Sequence, residues 1–163
     1  MMKKIKMLLL AMGMGLSALS HAAGYGVVDL AKVVENSTYL KQQNTNLGQT
    51  IKPSTTKLEQ LSREIEALKK QAQTAPATEV AQLQTQYQAK VDEFNQIQQQ
   101  LQKTVQGILQ TMNKTMESRV KQAAEQLRQE NKLDFVLNKN SALAYDAKYD
   151  LTDKMIQKVN AYK

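Results

Sequence analysis

Few side chains of this sequence could carry out catalysis. The 163 residues contain no Cys or Trp, and the single histidine is His21. Because His21 lies in a predicted export signal that is removed, the mature chain is expected to lack histidine as well. Thiolate and imidazole chemistry, Ser-His-Asp triads and almost every zinc, copper or haem site need one of these residue types. We therefore expect neither that chemistry nor those cofactors.

Carboxylates are the remaining candidates for acid–base chemistry. Glu64 and Glu66 would lie on different faces of a helix, and Asp92 and Glu93 are neighbours in the sequence. Neither pair would therefore face a shared substrate from two sides. The glycines beyond the signal are scattered and form no phosphate-binding loop. The sequence predicts a protein that is not an enzyme and has no cofactor.

The first 22 residues have the pattern of a cleaved signal peptide. A cationic start with Lys3, Lys4 and Lys6 precedes ten apolar residues, and small residues before the end of the segment predict cleavage after Ala22. The alternative, a membrane anchor, is disfavoured because ten residues of helix span only about 15 Å of a hydrocarbon core about 30 Å thick. The mature chain is therefore expected to be exported.

Removal of the signal changes the charge balance. The whole chain has a net charge of +7, and the three signal lysines leave +4 for the mature chain. This is a weak electrostatic footprint, and no motif mixes aromatic and basic residues, so we expect no specific binding of nucleic acid. Because Cys is absent, stability must come from packing or from association of subunits.

Two long stripes of apolar residues predict a helical hairpin, the arm, over residues 36–129. The first stripe has heptad spacing from Leu40 to Ala72, and the second has a period of about 3.6 residues from Val80 to Leu127. Between them, Pro76 should break the helix at a tip over residues 74–78, where Thr78 can cap the second helix. Eleven Gln lie between positions 82 and 110 and are interpreted as a solvated helix face.

The two ends of the chain have a different pattern. Short β-branched runs predict strands at Tyr25–Leu30, Leu133–Leu137 and Ala142–Tyr145, and a final amphipathic helix begins near Asp150. Residues 23–35 and 130–163 would form a small body, which is too short for a secure core without partner subunits. The fold class is therefore α+β and mainly α. The expected shared core of the oligomer comprises Val28, Leu30, Phe135, Val136 and Leu143.

The terminal segments resemble those of the Skp/OmpH family of periplasmic chaperones. The resemblance is carried by residues 26–34, 133–137, 142–145 and 150–152, and the arm matches only in pattern. It implies a periplasmic homotrimer in which a small β-barrel-like body carries three arms around a cavity. It further implies that the cavity holds unfolded outer-membrane proteins without ATP, and that lipopolysaccharide or anionic lipid is a further partner.

The charge of the arm departs from the strongly basic arms of that family. Residues 71–112 have a net charge of −1, so the positive charge lies nearer the body. The predicted cavity charges on the second helix are Lys114, Arg119, Lys121 and Arg128. Each of them could instead belong to a solvated face with intrahelical ion pairs.

A hinge is predicted within the arm. If the tip lies at 74–78, facing residues of the hairpin have numbers that sum to about 152, so Gly48 and Gly107 lie at nearly the same height. Pro53 lies close to that level, and all three residues weaken a helix. The alternative is that the glycines allow close helix packing and that Pro53 starts a new helical segment after a break.

Two functions remain the main alternatives at this point, and a third, a nucleic-acid or anionic-lipid binder, is disfavoured by the weak positive charge. The first is an ATP-independent holdase for unfolded outer-membrane proteins. The second is a structural or adhesive coiled-coil protein of the envelope, which would zip its arms together across chains and would have no affinity for unfolded clients.

Overall fold

A computed structural model describes residues 24–162 of the chain. The elements run in the order β1 (Tyr25–Val28), α1 (Leu30–Glu35), α2 (Thr38–Thr74), α3 (Ala77–Glu130), β2 (Phe135–Asn138) and α4 (Thr152–Ala161). Two short 3-10 turns, Lys139–Ser141 and Ala147–Tyr149, lie between β2 and α4. The predicted signal peptide and its cleavage site after Ala22 lie outside the described residues.

The arm is the antiparallel hairpin of α2 and α3, as the two apolar stripes predict. With 37 and 54 residues, the helices are about 55 and 80 Å long. Ser37 caps α2 by accepting a hydrogen bond from the backbone N–H of Leu40 at 3.3 Å. The tip is shorter than predicted, because only Ala75 and Pro76 separate the helices.

The predicted cap at Thr78 is wrong. Pro76 occupies the N-cap position of α3, with φ −56° and ψ 149°, and Thr78 already lies within the first turn. The pyrrolidine ring fixes φ near this value, so the backbone of Pro76 itself sets the direction of the new helix without a capping side chain. The backbone N–H of Glu79 donates to the carbonyl of Pro76 at 2.9 Å, which closes the first turn.

The body joins the two ends of the chain. Strands β1 and β2 pair in parallel, with Tyr25 opposite Phe135 and Val28 opposite Asn138, and Val27 makes a single bridge to Asp150 on its other side. A hydrogen bond joins two of the segments that resemble the Skp/OmpH family, residues 26–34 and 150–152. The backbone N–H of Asp29 donates to Oγ1 of Thr152 at 2.9 Å.

The strand predicted at Ala142–Tyr145 is not formed. This segment is irregular between the two 3-10 turns, and Leu143 is completely exposed. Extended backbone needs a neighbouring strand to satisfy its hydrogen bonds, and no strand in the described part of the chain pairs with this segment. Its apolar composition favours a strand, but residues 24–162 supply no partner strand for it.

One hydrophobic core lies where the body meets the base of the arm. Val28, Val33, Leu151, Met155 and Val159 come from the terminal segments. The remaining core residues come from α3: Met116, Ala123 and Leu127. The C-terminal part of α3 therefore belongs to the same packed unit as the body, which fixes the direction in which the arm leaves it.

Candidate functional site

Apolar side chains along most of the arm are only partly covered. In α2 the single buried residue is Leu61, and the buried residues of α3 all lie at or after Met112. No residue of α3 from Ala77 to Thr111 is buried. Two helices that face only each other cannot bury an apolar stripe from all sides. The arm therefore leaves a long, partly apolar surface in contact with water.

A mainly apolar surface groove lies at the tip of the arm. This tip groove lies between α2 and α3, and Lys69 and Gln84 provide its polar lining. Val80, at its edge, is 36% exposed. The apolar residues that line it are Leu68, Ala72, Val80, Leu83 and Tyr87. A groove with this lining can accept aliphatic or aromatic side chains of another polypeptide.

An ionic cluster joins the two helices below the tip groove. Nζ of Lys90 lies 2.7 Å from Oε2 of Glu64, and Nζ of Lys57 lies 3.1 Å from Oε1 of Glu93. Gln60 also donates to Oε1 of Glu64 at 2.7 Å. Hydrogen bonds from Lys90 and then from Gln60 lower the pKa of Glu64, and the same contact with Glu64 raises the pKa of Lys90. Both groups are therefore fully charged near neutral pH.

Three of the four predicted cavity charges lie on one face of α3, because Lys114, Lys121 and Arg128 are seven residues apart. The acids between them neutralise much of that charge. Lys121 pairs with Glu117 at 2.6 Å and Arg128 with Glu125 at 2.7 Å, whereas Lys114 makes no ion pair among the described residues. Hydrogen bonds from Arg128, and then from Gln129, lower the pKa of Glu125 to about 2.

Arg119 lies apart from the other three cations. Its guanidinium stands 4.3 Å from the centre of the Tyr39 ring, and Nη1 donates to the backbone carbonyl of Tyr162 at 2.7 Å. Arg119 thus ties the start of α2 and the end of α4 to α3. This combination of a cation–π contact and a hydrogen bond indicates a structural role at the base of the arm.

The three predicted hinge residues all lie within continuous helices. Helix α2 runs without a break through Pro53, so the alternative of a new helical segment is wrong. A Cβ atom added at Gly48 or Gly107 would meet nothing within 4 Å. Close helix packing therefore does not require glycine at either position, and the helix-weakening effect of these residues remains as an explanation.

The five residues predicted for the oligomer core differ in burial within one chain. Val28 is 1% exposed, and Leu30 and Val136 pack against the core from its edge. Phe135 is 42% exposed and stacks on Tyr25 with ring centres 6.4 Å apart. Leu143 projects into solvent. Two of the five predicted residues, Phe135 and Leu143, are therefore uncovered on the body of the single chain.

One exposed apolar residue of the arm lies outside the two predicted stripes. Leu109 is 43% exposed and lines a shallow groove on α3 with Gln102, Val105, Gln106, Gln110 and Asn113. Stripe periodicity identifies residues that face the partner helix and so passes over an apolar residue on the outer face. The usable signal was a Leu that follows the stripe residue Ile108 directly and so must face another side of the helix, within a glutamine-rich stretch.

Among residues 24–162, no cluster of carboxylates could hold a metal ion, and no helix is long and apolar enough to cross a membrane.

Comparison with known proteins identifies the family. The family model described as outer membrane protein (OmpH-like) matches residues 24–159. The fold is similar to the 2.83 Å crystal structure of a candidate outer membrane chaperone (OmpH-like) from Caulobacter crescentus CB15, with a TM-score of 0.67, 20% identity and coverage of 85% of each chain. No curated protein matches the chain. The family match spans both terminal segments and the whole arm, and the chain belongs to the OmpH-like outer membrane protein family.

Proposed function

We propose that this protein is an ATP-independent holdase chaperone that binds unfolded outer-membrane proteins in the periplasm and prevents their aggregation. The observation that carries the proposal is the arm surface, on which the apolar side chains of α3 stay partly exposed from Ala77 to Thr111. An exposed apolar surface of this length is typical of an interaction site, and an unfolded client could cover it.

The proposed assembly is a homotrimer. The exposed Phe135 and Leu143 on the body would contact neighbouring copies. The segment around Leu143 would find there a strand that residues 24–162 of its own chain do not supply. Three arms would then surround one client. Many weak contacts from several arms retain a client through high effective concentration, and each single contact can still dissociate.

The charge of the arm predicts which kind of contact dominates. Ion pairs neutralise Lys121 and Arg128, and residues 71–112 have a net charge of −1. Apolar and neutral polar contacts should therefore contribute more to client binding than attraction between opposite charges. Lipopolysaccharide or anionic lipid is a secondary partner in this proposal, with Lys114 as its most available cation on that face.

The test is suppression of aggregation. A urea-unfolded outer-membrane protein is diluted into buffer without ATP, with increasing amounts of the mature protein, and light scattering is recorded. We expect scattering to fall to a plateau at about three chains per client. The variant Val80→Gln/Leu83→Gln, which makes the tip groove polar, should need more protein, and Gln82→Ala on the same helix should behave as the parent does. Scattering that stays unchanged at every ratio of protein to client would favour a structural or adhesive envelope protein.

A further inference from the structure

A groove rich in amides lies on α3 between the tip groove and the base of the arm. We call it the amide groove, and it is lined by Gln102, Gln106, Gln110 and Asn113 beside Val105 and Leu109. All four amide side chains are exposed. The groove contains none of the predicted cavity charges.

The amides of this groove are free to bind another molecule. Each offers two N–H donors and one carbonyl acceptor, and none of the four makes a side-chain hydrogen bond within the part of the chain that the structure describes. Some glutamines elsewhere, but not all, bond within their helix. Gln60 and Gln88, for example, donate to acids four residues later.

The scarcity of charged side chains around the groove restricts which ligands it can bind. Between residues 94 and 113 of α3 the only charged side chain is Lys103. A surface that offers donors and acceptors in comparable number, with almost no charge, selects neither anions nor cations. Its complement is a neutral group that itself both donates and accepts, and the peptide group is such a ligand.

Spacing supports the same ligand. Gln102, Gln106 and Gln110 are four residues apart, which places successive amides about 6 Å apart along the helix. Peptide groups on one edge of an extended chain repeat every two residues, about 6.6 Å. The two repeats stay nearly in step over three contacts. Val105 and Leu109 have the same spacing and run beside the amides.

We propose that the amide groove binds the main chain of an extended, uncharged segment of a client, whose alternate apolar side chains lie against Val105 and Leu109. This inference rests on the proposed holdase function and names the class of segment that is held. Strands of outer-membrane barrels alternate apolar and polar residues in this way. A second copy of this chain is a poorer occupant, because a stable interface buries roughly 1,200 Å² or more and this groove exposes one large apolar side chain.

The experiment uses the full mature chain and a fluorescent ten-residue peptide of alternating Val and Thr with both ends blocked. Binding is measured by anisotropy for the parent, for Gln102→Ala/Gln106→Ala and for the matched control Gln96→Ala/Gln100→Ala. The control pair has the same spacing and exposure on the same helix but lies outside the groove. A second peptide carries methyl groups on alternate backbone nitrogens, which removes donors and keeps every side chain.

Loss of two hydrogen bonds should weaken binding of the first peptide roughly 5- to 30-fold in the groove variant and less than about twofold in the control. The methylated peptide should bind weakly to all three proteins. Raising the salt from about 50 to 500 mM should leave the affinity of the parent within about twofold.

Three results would overturn the proposal: equal affinity of the two double variants, binding that weakens steeply with salt, or a change of oligomer mass in the groove variant, which would assign the groove to contact between copies. No peptide binding together with suppressed client aggregation would refute the amide groove and leave the holdase function standing. Absence of both would refute both.

Discussion

The ammonium of Lys90 lies 2.7 Å from the carboxylate of Glu64, across the gap between the two helices of the arm. The second cross-arm pair, Lys57 with Glu93, lies 3.1 Å apart. The residue numbers of each pair add up to within two of 152, so the antiparallel register expected from the sequence is the observed one. Both pairs are partly exposed, and their effect on stability depends on the charge of the acids.

We expect the arm to lose stability in acid. Because hydrogen bonds from Lys90 and Gln60 lower the pKa of Glu64 from its usual 4.5, this group stabilises the folded state above that pH and stops doing so as the pH falls through the lowered value. Melting followed by circular dichroism should give a nearly constant Tm from pH 8 to 6 and a falling Tm below about 4.5. Glu64→Gln should flatten part of that fall, and curves parallel to those of the parent would contradict the assignment.

Client binding should be nearly independent of pH between 6 and 8. Hydrogen bonds to the charged forms lower carboxyl pKa values and raise those of cations, which moves both away from neutrality. The lowered groups are Asp29, Glu64, Glu66, Glu117, Glu125 and Asp150, and the raised ones are Lys90, Arg128, Lys139 and Lys148. Titration of a client without ionisable groups in that range provides the measurement. A steep transition near pH 6.5 would contradict it.

Two glycine substitutions should have opposite effects on stability. A Cβ on Gly26 would collide with Cδ1 of Leu151 and approach Leu133, so Gly26→Ala must displace a core side chain. We expect a loss of about 1–3 kcal/mol in the free energy of unfolding. Gly48→Ala meets open space and should gain up to about 1 kcal/mol. Urea unfolding of both variants checks this contrast, and two changes of the same sign would refute it.

If the arms bend at the predicted hinge, replacing the hinge residues should make the arms vary less in shape. In α3, the hydroxyl of Thr111 donates to the carbonyl of Gly107 at 3.0 Å, and such bonds favour bending of a helix. Gly48 and Pro53 weaken α2 at nearly the same height of the arm. Because the chain has no cysteine, Ala77→Cys allows one spin label at each tip. Gly48→Ala/Pro53→Ala/Gly107→Ala should narrow the distribution of tip-to-tip distances. An unchanged distribution would remove the hinge.

Oligomer formation should depend on the exposed apolar residues of the body. A charge at the fully exposed Leu143 would be buried without a partner in the proposed trimer, so Leu143→Asp should shift sedimentation equilibrium towards the monomer. Val80→Asp, at the tip, is the matched control and should leave the mass unchanged. A folded parent monomer at micromolar concentration would contradict the trimer.

Sequence periodicity predicted the hairpin well because both helices carry a regular apolar stripe over many turns, even though most of that stripe is only partly buried. The contact of Arg119 with Tyr39 and Tyr162 could not be predicted in this way, since it joins three elements whose relative placement depends on the body. The strand prediction at Ala142–Tyr145 was wrong for a related reason. Strand formation depends on a neighbouring strand, and residue preferences alone do not show whether the same chain provides one.

The parallel pairing of β1 with β2 also has a consequence for the order of folding. Tyr25 and Phe135 are 110 positions apart, so closing the body directly from an open chain carries a large loop-closure entropy. We expect the arm to form first, because its helices can zip together from the tip through local contacts, and its formation would bring the two strands side by side and remove most of that cost. The first strand is synthesised long before its partner and must wait for it. Substitutions that destabilise the middle of the arm should therefore slow pairing of β1 with β2 in the body, although the substituted residues do not contact the body.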